Sequence, residues 1–476
     1  MNILSKRWKR LQNPFRKHPT PRPREPVWFL HPARIVLLSF LVVIIIGTGL
    51  LMLPNATVRG SISVVDALFT ATSATCVTGL VVLDTGADFT RFGQIVILVL
   101  IQIGGLGIMT LSTFFVYLIA GRLTFTEREI LQDTLSQHPM ADFARLLKLV
   151  FLVTIAIEAL GCGLLTWRFM QTTPASDALY TGLFHAVSGF CNAGFSLFSN
   201  SLENYRDDVV MNLVMSGLIV LGGLGFIVLF DLFHCLKKVR RRSVSQLSFH
   251  TRIVLFITVV LILSGTILFF GLENSNGLQT LSLRNRFLAS FFQSVTTRTA
   301  GFNTVNINTL SNATLFFLIL LMFIGASPGS CGGGIKTSTF AVIASSVFAR
   351  FRMKEDVNIF YRRIPEAIVS RAISVVFFSI MIVVTFTMAL LVAELPAISH
   401  TESRGLFLDY LFEVFSAFGT VGLSTGITSR LSEAGKVLIT LLMFVGRLGP
   451  LTVALAVRGK DTGPSFRYVR ENVLVG

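Results

Sequence analysis

Charged side chains are scarce in this chain, at 14% of 476 residues, where a soluble domain carries about a quarter. With 52% hydrophobic residues, 43 phenylalanines and a mean hydropathy of +0.71, that scarcity excludes an ordinary soluble protein. Cysteine is also sparse. Cys76, Cys162, Cys191, Cys235 and Cys331 are odd in number and far apart, so neither a zinc pattern nor a disulfide framework follows. None of the seven histidines has a metal-like neighbour at useful spacing. An intact phosphate loop is missing too, because in GSCGGGIKTS (329–338) Ile335 separates Gly334 from Lys336. With no nucleophile–base pair in view either, a nucleotide-driven or intramembrane enzyme has no support, and the expectation is a protein without enzymatic activity or covalent cofactor.

Long apolar runs are what the chain has. Eight stretches, near 33–54, 94–120, 147–169, 210–235, 252–272, 311–349, 372–394 and 436–457, are each long enough to cross a hydrocarbon core of about 30 Å. A basic tail precedes them, and no cleavable signal peptide is expected, because the apolar stretch from Val36 is long and lacks a small-residue cleavage site. With that tail cytoplasmic and the helices alternating, both termini lie inside. This topology puts 29 of the 41 lysines and arginines on the inner side and 10 outside. The net charge of +16 is then positive-inside topology facing anionic lipid, and nucleic acid is not expected as a partner.

Internal repetition organises the whole length. LFTATSATCVTGL (68–80), LFHAVSGFCNAGF (183–195), SFFQSVTTRTAGF (290–302) and LFEVFSAFGTVGL (411–423) align without gaps on Gly79, Gly194, Gly301 and Gly422. Phe69, Phe184, Phe291 or Phe412 stands ten residues before each glycine. A second echo, IGGLGI, LGGLGF, IGASPG and VGRLGP, places Gly104, Gly222, Gly325 and Gly446 a further 25, 28, 24 and 24 residues on. Each repeat reads as helix, re-entrant loop, helix. The expected fold is an all-α polytopic membrane protein, with four such repeats in pseudo-fourfold arrangement around one ion pore. The repeats occupy 33–120, 147–235, 252–349 and 372–457, between cytoplasmic tails 1–32 and 458–476.

A segment such as VDALFTATSA (65–74) is too short to span but suits a half-membrane helix. Irregular backbone survives at membrane depth only where it is buried or lines a wet cavity. Four such loops on one axis can turn their carbonyls toward a cation, with the negative ends of the half-helices adding to the attraction. The expected carbonyl donors precede each glycine: Val77 and Thr78, Asn192 and Ala193, Thr299 and Ala300, Thr420 and Val421. Cys76, Cys191 and Gly419 stand one place earlier, where repeat three has Arg298. A guanidinium aimed at the ion would repel it, so Arg298 is expected to face backward onto a carboxylate or loop carbonyls.

These filter loops, CVTGL, SGFCNAGF, TRTAGF and GTVGLS, together with the broken third-repeat helix, resemble the Trk/Ktr/HKT superfamily of potassium transporters over nearly the full length. Glycine in all four loops looks like the potassium-selective branch. Members with serine in the first loop tend toward sodium. The polar N-terminus lacks the extra hydrophobic hairpin of Trk-type subunits, and the ending VLVG is similar to Ktr-type membrane subunits. The resemblance implies a bacterial cell-membrane homodimer, with one K+ pore per protomer, on a ring of cytosolic nucleotide-binding regulatory subunits, and potassium uptake stimulated by Na+. A single retained glycine per loop, against the longer filter of potassium channels, implies weaker selectivity. A sodium or unselective monovalent cation transporter of the same fold is the alternative. An organic-solute carrier would show paired inverted repeats instead.

Two cations sit at membrane depth, Lys336 and Arg447, where even lenient scales assign about 2.5 to 3.5 kcal/mol each. Repeat three also carries more chain here than its sisters, whose second helices are expected to be continuous. Gly325, Gly329, Gly332, Gly333 and Gly334, with Pro328, cannot hold a regular helix. The expectation is an intramembrane loop (325–336) lying across the pore as a gate, with Lys336 and Arg447 adding an electrostatic barrier or anchoring the closed form; the plainer alternative is a strain-relieving kink. Glu158, deep in a crossing helix, is expected to neutralise Arg447 or another buried cation, and His185 to serve packing.

Overall fold

A computed structural model describes residues 32–107, 143–240, 247–394, 400–450 and 452–453. The tails assigned to 1–32 and 458–476, and the far ends of the spans at 94–120 and 436–457, lie almost wholly outside those residues.

The chain opens with α1 (Pro32–Leu51), the short α2 (Val64–Thr75) and α3 (Arg91–Leu106). The same order returns as α4 (Phe143–Phe169), α5 (Ala175–Phe190) and α6 (Val209–Leu224). After α7 (Phe226–Arg240) it comes again as α8 (Phe249–Glu273), α9 (Leu283–Thr296) and α10 (Asn312–Phe323). Next are α11 (Thr337–Phe351) and a two-residue antiparallel pair, β1 (Asn358–Ile359) with β2 (Arg362–Arg363). The last set is α12 (Glu366–Glu394), α13 (His400–Gly419) and α14 (Glu433–Leu448).

The short helices lie at the centre. Phe69, Phe184, Phe292 and Phe412 are wholly buried on them, and each such ring contributes about 1.5 to 3 kcal/mol of apolar burial. The long first helices point apolar side chains outward instead. On α12, Ile373, Phe377, Ile380, Val384, Met388 and Val392 form an exposed stripe at helical spacing. Water would not tolerate so large an apolar surface, whereas lipid tails are as apolar as the stripe itself. The chain is an all-α, multi-pass membrane protein apart from the two-residue strand pair.

The third helix of each repeat starts at a side-chain cap: Thr90, Asp208, Ser311 and Ser432. The end of the same repeat's first helix, or the chain just after it, reaches that cap. Thr90 donates to the Asn55 carbonyl at 2.5 Å, Glu273 accepts from Ser311 N at 3.0 Å, and Glu394 accepts from Ser432 N and Oγ. Repeat two reverses the polarity, with Arg168 donating to Asp208. Between repeats, basic residues of third helices meet the acidic first turn of the next short helix. Arg91 pairs with Asp177 at 2.7 Å and Lys436 with Asp66 at 2.6 Å, the latter joining repeat four back to repeat one. The acidic residues sit where a helix N-terminus favours negative charge.

Two expectations need correcting. The third helices are not continuous outside repeat three: α3, α6 and α14 all stop at a left-handed glycine, Gly107 (φ 79°), Gly225 (φ 92°) and Gly449 (φ 84°). After Gly225 the chain turns by 102° into α7, so among the described residues four helices are uninterrupted and long enough to span, five if the bent pair counts as one. The repeats also do not align without a gap. Phe292, not Phe291, is the wholly buried ring in repeat three, and it stands nine residues before its glycine where Phe69, Phe184 and Phe412 stand ten before theirs. Ala300 N accordingly bonds Thr296 O four residues back, where Thr78, Ala193 and Val421 each reach five back to Ser73, Ser188 and Ser416.

Candidate functional site

Gly79, Gly194, Gly301 and Gly422 meet in a closed ring. A Cβ on Gly79 would fall 2.5 Å from the Ala193 carbonyl oxygen and 2.9 Å from Gly194 Cα. One on Gly194 would meet Ala300 O at 3.0 Å, one on Gly301 would meet Val421 O at 2.7 Å, and one on Gly422 would strike Thr78 O. Each glycine thus faces the carbonyl of the residue before its neighbour's glycine, and repeat four hands back to repeat one. No side chain fits there, and all four glycines have φ between 72° and 91°, which L-residues adopt at a cost.

Two residues earlier, Val77 (φ 57°), Asn192 (φ 59°), Thr299 (φ 69°) and Thr420 (φ 50°) are left-handed as well. For β-branched Val77, Thr299 and Thr420 such values are strained and persist only where the surroundings enforce them. A hydroxyl supplies part of that enforcement. Ser73 Oγ accepts from Gly79 N at 3.1 Å and donates to Leu80 O at 2.7 Å, and Ser188 donates to Phe195 O at 2.8 Å. Thr296 donates to Phe302 O at 2.6 Å, and Ser416 accepts from Gly422 N at 3.0 Å. Sequence reasoning missed these staples, although a serine six residues before the glycine in three of the four repeats was the available signal.

Cys76 and Cys191 close their helices as C-caps, Gly419 ends α13, and the buried neighbours of the ring therefore begin one turn back from the glycines. Arg298 takes the same place in repeat three and is buried, and among the described residues it makes no ion pair with a carboxylate. Its Nε has no hydrogen-bond partner among the described residues.

On one side of the ring the chain opens into a cavity of about 470 Å³, with the four glycines at its floor and Asp84, Ser196, Glu203, Asn303 and Ser424 among its walls. Burial lifts the Glu203 carboxyl above the ordinary range, opposed by the Asn303 amide and Arg206.

On the other side, the echo glycines let the third helices touch the ends of the short ones. A Cβ on Gly104, Gly222 or Gly446 would collide with the carbonyl of Thr75, Phe190 or Phe418, each four residues before its ring glycine. In repeat three, Gly325 packs instead against Gly333 of its own loop. That loop is pinched at its base by a parallel bridge of Ile324 with Ile335, where Gly325 N donates to Ile335 O at 2.8 Å. Its tip touches the left-handed residues of the ring. Gly333 N donates to Thr420 Oγ1 at 2.9 Å, and a Cβ on Gly332 would strike Thr299 Oγ1. Gly329 O accepts from Phe226 N at 2.9 Å, and Cys331 N reaches Gly222 O at 3.3 Å.

Lys336 folds back onto Gly332 O at 2.7 Å. Arg447 donates to the carbonyls of both Cys331 and Gly104. Glu158 does not meet Arg447; it accepts from Gln102 at 3.4 Å and from Cys191 Sγ at 3.9 Å. His185 packs as expected, stacked on Phe198 at 4.9 Å between centroids, but it also bonds Thr181 O and Ser196 Oγ. All five cysteines are free.

A family described as TrkH, cation transport protein, matches residues 13–467. The chain is 41% identical to Ktr system potassium uptake protein B of Bacillus subtilis, covering 94% of this chain and 97% of that protein. It is 36% identical to the potassium/sodium uptake protein NtpJ of Enterococcus hirae, covering 94% and 98%. The crystal structure of the potassium transporter TrkH from Vibrio parahaemolyticus superposes with a TM-score of 0.71 at 19% identity, over 92% of this chain and 86% of that one. The chain belongs to the TrkH family of cation transport proteins.

Proposed function

We propose that the chain is the membrane subunit of a potassium uptake system and that K+ passes along the axis of the four-glycine ring. The observation that carries this reading is the ring itself, in which four backbone carbonyls, from Thr78, Ala193, Ala300 and Val421, each abut the preceding repeat's glycine. Carbonyl oxygens in such number replace a monovalent cation's hydration shell. The uptake proteins it resembles are named for potassium in B. subtilis and for potassium and sodium in E. hirae, and the glycine in all four loops favours potassium.

The glycine-rich loop is the gate in this reading. It lies against Thr299 and Thr420 on the side opposite the 470 Å³ cavity, and Arg447 and Lys336 hold its carbonyls. Opening requires those bonds to break. A homodimer in the bacterial cell membrane, both termini cytoplasmic, works with a cytosolic nucleotide-binding partner that shifts the loop, and Na+ acts as stimulator. The system names of the similar Ktr proteins support a partner subunit. A bacterial strain without potassium uptake of its own supplies the test. Expression of this chain with a Ktr-type cytosolic subunit should restore growth at limiting potassium, and absence of rescue with the protein present in the membrane would count against the reading.

A further inference from the structure

Each polar residue two places beyond a ring glycine is hydrogen-bonded to an ionisable side chain. Ser196 lies 3.0 Å from His185 Nε2, Asn303 donates to Glu203 at 2.9 Å, and Ser424 donates to Glu413 at 2.9 Å. All three polar residues line the cavity that has the glycines at its floor, and Val81 fills the fourth place. His185 and Glu413 are wholly buried and occupy matching positions, each one residue after the buried phenylalanine of its short helix.

The hydrogen-bond directions fix what faces the cavity. His185 Nδ1 lies 2.8 Å from the Thr181 carbonyl, so the ring proton sits there and Nε2 must accept the Ser196 hydroxyl proton. Glu413 accepts from Ser424 and also from Thr428. Asn303 spends both amide hydrogens on Glu203 and on Val305 O at 3.2 Å, which leaves Oδ1 without a partner among the described residues. Backbone N–H groups of Phe198 and Gly426 take one lone pair each from Ser196 and Ser424. Thr428 Oγ1 also lies 2.9 Å from Ser424 Oγ, but its single proton goes to Glu413 at the shorter contact, so it takes no lone pair from Ser424. Every side chain therefore keeps its protons turned away and one or more oxygen lone pairs free.

We propose that Ser196, Asn303 and Ser424 form a second oxygen ring, which receives the partly dehydrated alkali cation before it enters the glycine ring, and that His185, Glu203 and Glu413 are positioning residues that keep those oxygens facing the ion. The proposal rests on the cation-conducting reading above. In repeat three the place matching His185 and Glu413 holds Gln293, whose amide bonds nothing among the described residues, and the anchor comes from Glu203 on the neighbouring loop instead.

The test is the dependence of 86Rb+ uptake on external Rb+ in proteoliposomes of the purified full chain. Ser424→Ala and Ser196→Ala should each raise KM about fivefold, with a smaller change in maximal rate. Ser424→Thr restores the hydroxyl and should return KM toward the wild-type value. Glu413→Gln offers an amide proton to Ser424 and turns its hydroxyl proton toward the ion, so KM should rise. On the Ser424→Ala background the same change should add little, because Glu413 acts through Ser424. Wild-type KM in both alanine variants, or loss of maximal rate at unchanged KM, overturns the outer ring and leaves the cation reading standing. Full additivity of Glu413→Gln with Ser424→Ala overturns the positioning role. Wild-type protein that moves no Rb+ sinks the cation reading and the outer ring together.

Discussion

Arg447 reaches from the last turn of α14 to the carbonyl oxygen of Cys331, in the middle of the glycine-rich loop, and with its other terminal nitrogen to the carbonyl of Gly104. One side chain of repeat four thereby ties repeat three's loop to repeat one. Both bonds are charge-assisted, and bonds of that kind contribute about 1.5 to 3 kcal/mol each. Arg447→Gln keeps a donor but removes the charge and the fork. Even a 1.4 kcal/mol loss of hold on the closed loop makes the open form about tenfold more populated. The expected outcome is roughly tenfold higher Rb+ flux in the absence of any cytosolic subunit, measured in proteoliposomes.

The loop's base and tip are held separately, which makes a deletion informative. Ile324 and Ile335 stay bridged when Gly332, Gly333 and Gly334 are removed, while the contact of Gly333 N with Thr420 Oγ1 is lost. The shortened protein should conduct more than wild type and should no longer respond to a cytosolic partner or its nucleotide. Flux that stays unchanged and still regulated would show that the loop is only a kink.

The helix caps give a prediction about stability alone. Asp208 caps α6 through Met211 N at 3.0 Å and also accepts a hydrogen bond from Arg168. Asp208→Ala removes the cap and leaves a half-buried guanidinium without its carboxylate. Cap loss alone costs about 1 kcal/mol. Ser432→Ala removes a cap whose partner, Glu394, is exposed at the contact, and the remaining carboxylate can turn to water. Thermal unfolding in detergent should therefore show a larger fall in Tm for Asp208→Ala than for Ser432→Ala.

How much of this was readable beforehand depends on whether the residue itself carried the information. The short helices before Gly79, Gly194, Gly301 and Gly422 were legible because a hydrophobic run too short to span recurs four times around the same residue. The breaks at Gly107, Gly225 and Gly449 were not. LGGLGFIVLF continues apolar straight through Gly225, and nothing in hydropathy registers a left-handed φ. The one-residue shift in repeat three was hidden by aligning on the glycine, when the buried Phe292 and the Thr296 staple were the better anchors. Glu158 was matched to Arg447 on charge alone. Backbone carbonyls, which no side-chain pattern reveals, satisfy Arg447 instead.

The central claim is that a monovalent cation passes through the glycine ring, and 86Rb+ uptake by proteoliposomes under competition from K+ or Na+, compared between wild type and Gly79→Ser, tests it most directly. A serine at Gly79 puts Cβ within 2.5 Å of the Ala193 oxygen and forces a side chain to φ 91°. The account predicts uptake by wild type that K+ suppresses far more than Na+, and reduced uptake by Gly79→Ser in which Na+ competes nearly as well as K+. Equal rates and equal K+ preference in the two proteins, or no cation uptake by either, would contradict it.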